Sequence, residues 1–297
     1  VAAVIELLGY DFMQRALIAA LLTGLMAPAI GTYIVQRRLS LLGDGLGHVA
    51  IAGVGLALMT GSAPTPVAVV VAVLGAIAVE LLRQQGKATG DVGLAILFYG
   101  GLASGVLMAG VAGQGAGALA QYLFGSLTTV SSADVWFVAA LAVVVLSCAV
   151  GLAPQLFAVT ADEDFARTQG LRVQAYNLLI VVLAAVTVTI SMRTVGLLLV
   201  SALMVVPVAA ASNLVRGFAA ALGASMVIGV VVSVSGAAGS FYLDVAPGAL
   251  IVVLAISVFV LSWPLTRLRQ RRTRPTVTTE PGLHSPAESV AQEGSAR

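Results

Sequence analysis

Charge is what this chain has least of. Only 9% of its residues are Asp, Glu, Lys or Arg, against 59% hydrophobic, where a soluble domain carries roughly 25% charged residues. The deficit runs through most of the 297 residues, which excludes an ordinary soluble domain and points to many membrane spans. Cys148 is the single cysteine. It cannot form an intrachain disulfide, and one thiol argues against a soft-metal cage. No G-x-x-x-x-G-K-[ST] is present to hold a nucleotide, and no H-E-x-x-H for zinc proteolysis. A Ser–His–Asp constellation draws no support either: there is no G-x-S-x-G elbow, and His48 alone lies in the apolar region, since His284 sits in the polar tail. Basic patches for nucleic acid are missing outside the clusters that flank the apolar runs. Val1–Arg15 lacks a basic head and a long apolar run, so no cleavable signal peptide is read there.

What is there is a series of apolar runs of roughly 17–25 residues, the length that spans a bilayer as a helix. Nine are expected: Phe12–Val35, Leu39–Met59, Pro66–Leu82, Asp91–Val111, Asp134–Ala153, Val173–Met192, Val195–Asn213, Phe218–Ala238 and Pro247–Trp263. An eight-span alternative would make one weak run re-entrant. Val1–Asp11 is too short to span and would lie along the surface. Arg37 and Arg38, Arg83 and Lys87, Arg167 and Arg172, Arg216, and Arg267–Arg274 follow the odd-numbered spans. The positive-inside rule therefore places those gaps and the C-terminus in the cytoplasm, and the N-terminus outside. Arg193 is an exception, expected to snorkel at an outer helix end. Residues 1–265 read as one transmembrane domain. Residues 266–297 read as a basic stop followed by a disordered tail rich in Pro, Thr, Ser, Glu and Gly, with His284 idle in solvent.

The stretch with chemistry is Leu39–Gly55, LSLLGDGLGHVAIAGVG. Asp44 and His48 stand one helical turn apart and share a face. Carboxylate oxygen and imidazole nitrogen are ligand types of Zn²⁺, Mn²⁺ and Fe²⁺. An ionisable group in a span is a functional hypothesis by default, because burying it costs roughly 2.5–3.5 kcal/mol. The alternative is an Asp–His pair that only pins two helices. Ala52 and Gly55 continue the face and look too small to block a path. If the span starts near Arg38, His48 lies about 15 Å in, near the midplane. One helix supplies two ligands, short of four, and a symmetric dimer would supply the rest.

Other residues carry blander expectations. Glu80 and Arg83 read as a surface ion pair worth little. Asp91 is read as an N-cap, and Asp244 as a solvated or N-capping residue ahead of Pro247. Pro28 and Pro207 lie within spans, Met204 faces lipid or core, and Gly101-x-x-x-Gly105 marks a close helix contact. The middle of the 113–133 loop is expected to hold a short helix. In TADEDFARTQGL (Thr160–Leu171), Asp162, Glu163 and Asp164 complement the positive end of a short helix. Phe165 offers an apolar knob, and Gly170 suits an αL stop. On composition alone this is an ordinary solvated loop helix.

QRRLSLLGDGLGHVAIAGVGLAL (Gln36–Leu58), GDVGLAILF (Gly90–Phe98), YLFGSLTTVSSADVW (Tyr122–Trp136), VTADEDFARTQGLRV (Val159–Val173), RTVGLLLVSALMVVPVAAA (Arg193–Ala211) and FYLDVAPGALIVV (Phe241–Val253) together resemble the permease subunit of bacterial zinc/manganese ABC importers. The likeness covers nearly all of Asp11–Trp263 in order. It implies an all-α transmembrane fold similar to the vitamin B12 and siderophore importer permeases, working as a homodimer in the plasma membrane. It implies a cytoplasmic ABC ATPase and an extracellular metal-binding lipoprotein as partners, with no catalytic residues and no permanently bound cofactor in this chain. Zinc or manganese is then the cargo, with Asp44 and His48 along its path. The resemblance maps a coupling helix onto Asp162–Leu171, with Asp162, Glu163, Phe165, Ala166 and Gly170 facing the ATPase function. Gly47 and Gly45 replace the Ser and Ala that the family often has, which implies looser ligand geometry. External acidification that protonates His48 would lower uptake. A permease for a chelated metal or vitamin would instead need a wide axial cavity and no His48. A passive channel or scaffold would have no ATPase partner and no use for Asp162–Leu171.

Overall fold

The computed structural model describes residues 9–85, 90–114, 117–125 and 131–272, and among them every regular element is a helix. In chain order these are α1 (Asp11–Gln36), α2 (Leu42–Thr60), α3 (Pro64–Gln84), α4 (Gly90–Val111), α5 (Gly117–Phe124), α6 (Ser132–Gly151), α7 (Ala153–Ala161), α8 (Glu163–Thr168), α9 (Val173–Val195), α10 (Leu197–Leu214), α11 (Phe218–Leu243) and α12 (Pro247–Arg272). Nine of them are long and apolar enough to cross a membrane, as the run lengths predict. Residues 1–8 of the expected surface segment, Lys87, the side chain of Asp91 and the tail with His284 lie outside the described residues.

Helices α1, α2, α9 and α10 form the inside of the bundle, while α3, α4, α6, α11 and α12 turn large apolar side chains outward. That division follows from apolarity on all sides: without a polar face, a helix is sorted by close packing and not by amphipathicity. α1 packs against α6, α9, α10 and α11, and α2 against α3, α4 and α9. Met204 is buried in this core at the α1–α10 crossing, where Gly31 meets its backbone. The short α5 docks on the break between α9 and α10. Gly196 sits at that break with φ 90, and a Cβ there would lie 2.5 Å from the Phe124 carbonyl carbon, so conformation and space both demand glycine.

Three boundaries differ from expectation. α2 begins at Leu42, not near Leu39, because α1 closes in a Schellman-type turn: Leu39 N–H donates to the Ile34 carbonyl at 3.0 Å and Arg38 occupies αL with φ 58. Arginine stands where glycine usually does, so no sequence signal announces the turn. Asp244 is exposed as expected, but it caps the end of α11 in αL (φ 51) instead of starting α12. α12 continues beyond Trp263 to Arg272, through the basic stretch.

Candidate functional site

Asp44 and His48 are both half-buried on α2. Counting from Leu42, His48 lies about 9 Å along the helix axis, shallower than the 15 Å expected from Arg38. Asp44 falls in the first turn, where free amides and the positive helix end favour a carboxylate. It lines a recess of about 280 Å³ with Leu41, Leu94, Ala95, Phe98 and Tyr99. The recess opens on the outer side of the bundle, since Leu41 and Tyr99 are 64% and 70% exposed. The His48 ring stands edge-on to Phe98 at 4.1 Å between centroids. Its Nδ1 is buried with no hydrogen-bond partner. The two groups therefore do not form the tight helix-pinning pair of the alternative reading, and a buried nitrogen lone pair or N–H is left for a ligand or a second chain. Among the described residues no cluster of three or more His, Cys, Asp or Glu side chains is assembled.

The rest of the face is not open. A Cβ on Gly101 would lie 2.6 Å from the His48 carbonyl carbon, and one on Gly55 would lie 2.5 Å from the Gly105 carbonyl oxygen. The small residues above His48 are thus sockets for α4, as Gly101-x-x-x-Gly105 predicts, and not a cleared channel. Gly47 is also a socket: a Cβ there would overlap the Leu197 side chain. The expected loosening at Gly47 does not occur, because Leu197, 1% exposed, fills the space. Gly45 has ordinary room, with Leu97 Cβ at 3.5 Å.

At the end of the bundle nearest Asp44 lies a charge network that spacing alone misjudged. Glu80 is 2% exposed and not a surface residue. Its carboxylate accepts from Arg37 Nη2 at 3.3 Å, Arg83 Nε and Nη2 at 3.1 Å, and Gln84 Nε2 at 3.1 Å. Glu163 of α8 extends the network, 3.8 Å from Arg37 and 3.9 Å from Arg83, and accepts from Asn177 Nδ2 at 3.0 Å. Asp162 is the N-cap of α8, accepting from the Asp164 and Phe165 amides at 3.0 Å each. Phe165 is 55% exposed and Gly170 adopts φ 77, as the knob and the αL stop predict, whereas Ala166 is fully buried and presents no surface of its own.

Arg193 belongs to the opposite end and does not simply snorkel. Its Nη1 lies 2.9 Å from Asp134 Oδ1 and donates to Thr65 Oγ1 at 3.1 Å, tying α9 to the starts of α6 and α3. Asp134 also closes a capping box with Ser131. Burial pushes the Tyr122 phenol upward, with the positive charge of Arg193 opposing. The partners of Arg37 and Arg193 are distant in sequence, so no local spacing could have revealed either cluster.

Residues 9–265 match the description ABC 3 transport family. The chain is 32% identical over 259 residues to the manganese transport system membrane protein MntC of Halalkalibacterium halodurans, covering 87% of this chain and 88% of that one. It is 26% identical over 253 residues to the high-affinity zinc uptake system membrane protein ZnuB of Haemophilus influenzae, covering 85% and 97%. Among solved structures, PsaBC from Streptococcus pneumoniae in complex with Fab superposes with a TM-score of 0.81 at 28% identity, over 92% of this chain and 99% of that chain.

Proposed function

The chain belongs to the ABC 3 transport family, and from that membership we propose that it is the permease of an ATP-driven importer carrying manganese or zinc inward past Asp44 and His48. The observation that carries this reading is the unpartnered buried nitrogen of His48 one turn from a carboxylate that lines an open recess. An oxygen and a nitrogen donor suit a borderline divalent ion, and a two-donor set binds weakly enough to release its cargo. The relatives named for manganese and zinc transport support the same choice of cargo.

A second copy of the chain would complete the path. The recess faces outward between Leu41, Ala95 and Tyr99, so a twofold partner seated there would add a second carboxylate and imidazole and bring the donors to four. The recess, about 280 Å³, suits a partly hydrated ion better than a chelate or vitamin. ATP hydrolysis falls to a separate ATPase docked on α8, where Phe165 supplies the exposed knob. A metal-binding lipoprotein would deliver cargo at the end marked by Arg193. Arg37, Arg83 and Arg167 share the α8 end, which supports placing that end in the cytoplasm.

The test is accumulation of radiolabelled manganese and zinc by cells whose only importer carries Asp44→Ala or His48→Ala. Both variants should insert normally and lose uptake. Normal uptake by both would refute the path.

A further inference from the structure

We infer that Glu163 is the positioning residue that passes movement of the α7–α8 segment to the helix carrying Asp44, an inference that rests on the importer reading above. Three side chains on one face of the last turns of α1 are held by the chain that runs from α6 into α8. Tyr33 Oη donates to the Ala149 carbonyl at 2.6 Å, Gln36 Oε1 accepts from Thr160 Oγ1 at 3.3 Å, and Arg37 lies 3.8 Å from Glu163. Positions 33, 36 and 37 follow the i, i+3, i+4 spacing of a helix face.

Beyond Arg37 the connection to α2 has no slack. Arg38–Leu41 is short and internally bonded: Leu39 N–H returns to Ile34, Leu42 N–H to Leu39 at 2.9 Å, and Gly45 N–H to Leu41 at 3.1 Å. A displacement of the end of α1 must therefore reach the first turn of α2, which carries Asp44.

The network has a tight half and a loose half. Glu80 holds Arg37, Arg83 and Gln84 at 3.1–3.3 Å and is 2% exposed. That half fixes α1 to α3. Glu163 reaches the same arginines only at 3.8 and 3.9 Å, with 41% of its side chain exposed. Hydrogen bonds fail within a few tenths of an ångström of sliding, whereas Coulomb attraction falls slowly with distance. Glu163 can thus keep pulling on Arg37 while α8 shifts. Asn177 Nδ2 aims the carboxylate, and the Asp162 cap makes the first turn of α8 move as a unit with it.

The experiment uses the assembled importer, the chain with its ATPase in lipid vesicles, and reads ATP hydrolysis with and without the extracellular binding protein loaded with Mn²⁺ or Zn²⁺. Glu163→Gln and Asn177→Ala should lower the stimulated-to-basal ratio by about five-fold or more, the low end of allosteric couplings. Glu163→Asp should recover most of it. Arg167→Gln should be neutral, because that guanidinium is 59% exposed and, among the described residues, its ion pairs stay within α8. Wild-type ratios in both Glu163→Gln and Asn177→Ala would overturn the relay, as would loss of ATPase co-purification in Glu163→Gln, which would make Glu163 a docking residue. A wild-type complex that neither imports nor responds to loaded binding protein would instead overturn the importer reading itself.

Discussion

Glu80→Leu should be among the most damaging single substitutions outside the Asp44–His48 helix, and the reason is the arginine left behind. Arg37 is 4% exposed, and among the described residues Glu80 is its one carboxylate within hydrogen-bond reach, at 3.3 Å. The next acceptor, Glu163, is at 3.8 Å, beyond hydrogen-bond reach. Removing one partner of a buried ion pair costs about 3–5 kcal/mol, because the other charge stays desolvated. Arg83 adds little to that cost, since its side chain is 28% exposed and can turn to water. Arg37→Met in the Glu80→Leu background should therefore recover most of the loss, as apolar replacement of a whole buried pair is often near neutral. Glu80→Gln keeps a carbonyl acceptor and should fall between, at roughly 1.5–3 kcal/mol for the weakened bonds to charged donors. The assay is equilibrium unfolding in mixed micelles for the four corners of the cycle. A Glu80→Leu protein within about 1 kcal/mol of wild type, or a double variant no better than the single, would refute the claim that Arg37 depends on Glu80.

Gly47→Ser should destabilise by about 1–3 kcal/mol through overpacking against Leu197, while Gly45→Ala should unfold at or above the wild-type midpoint, since its Cβ meets Leu97 at ordinary contact distance and alanine favours the helix. Gly101→Ala should lower uptake per folded molecule even though alanine gains about 1 kcal/mol of helix propensity, because its Cβ would press on the His48 carbonyl; metal accumulation normalised to the folded fraction checks it. Arg193→Gln breaks a pair whose arginine is 46% exposed, so a double-mutant cycle with Asp134→Asn should give a coupling of about 1 kcal/mol or less.

The spans were legible because length and apolarity alone decide whether a helix can cross a bilayer, and all nine expected runs are helices here. Asp44 and His48 stand out in the sequence as candidates because two ionisable groups in such a run have no bland background to hide in. Gly170 and the acidic start of α8 were legible because capping is local. What failed to show was whatever depends on burial or on distant partners. Glu80 and Arg83, three apart, read as a surface pair. The burial that reverses that reading comes from Arg37, 43 residues away. Arg193 looked like a snorkelling side chain because Thr65, 128 residues earlier, left no trace near it.

The sharpest lesson lies in the small residues of α2. Sequence cannot separate a glycine that clears a path from one that admits a neighbour, because both need only the absence of a side chain. Gly47, Gly53 and Gly55 admit Leu197, Ala68 and Gly105, so packing explains them completely. The glycines then serve function indirectly. By drawing α4 against α2, Gly55 together with Gly101 and Gly105 sets Phe98 on the His48 ring and leaves Asp44 at the rim, between Leu41, Ala95 and Tyr99. On the proposed importer reading, the ion path would run along the outside of this helix pair, where a second copy would close it, and not up the glycine face between α2 and α4. Widening that face would separate the wall from the donors it positions, and that is why Gly101→Ala should cost transport beyond what its overpacking costs in stability.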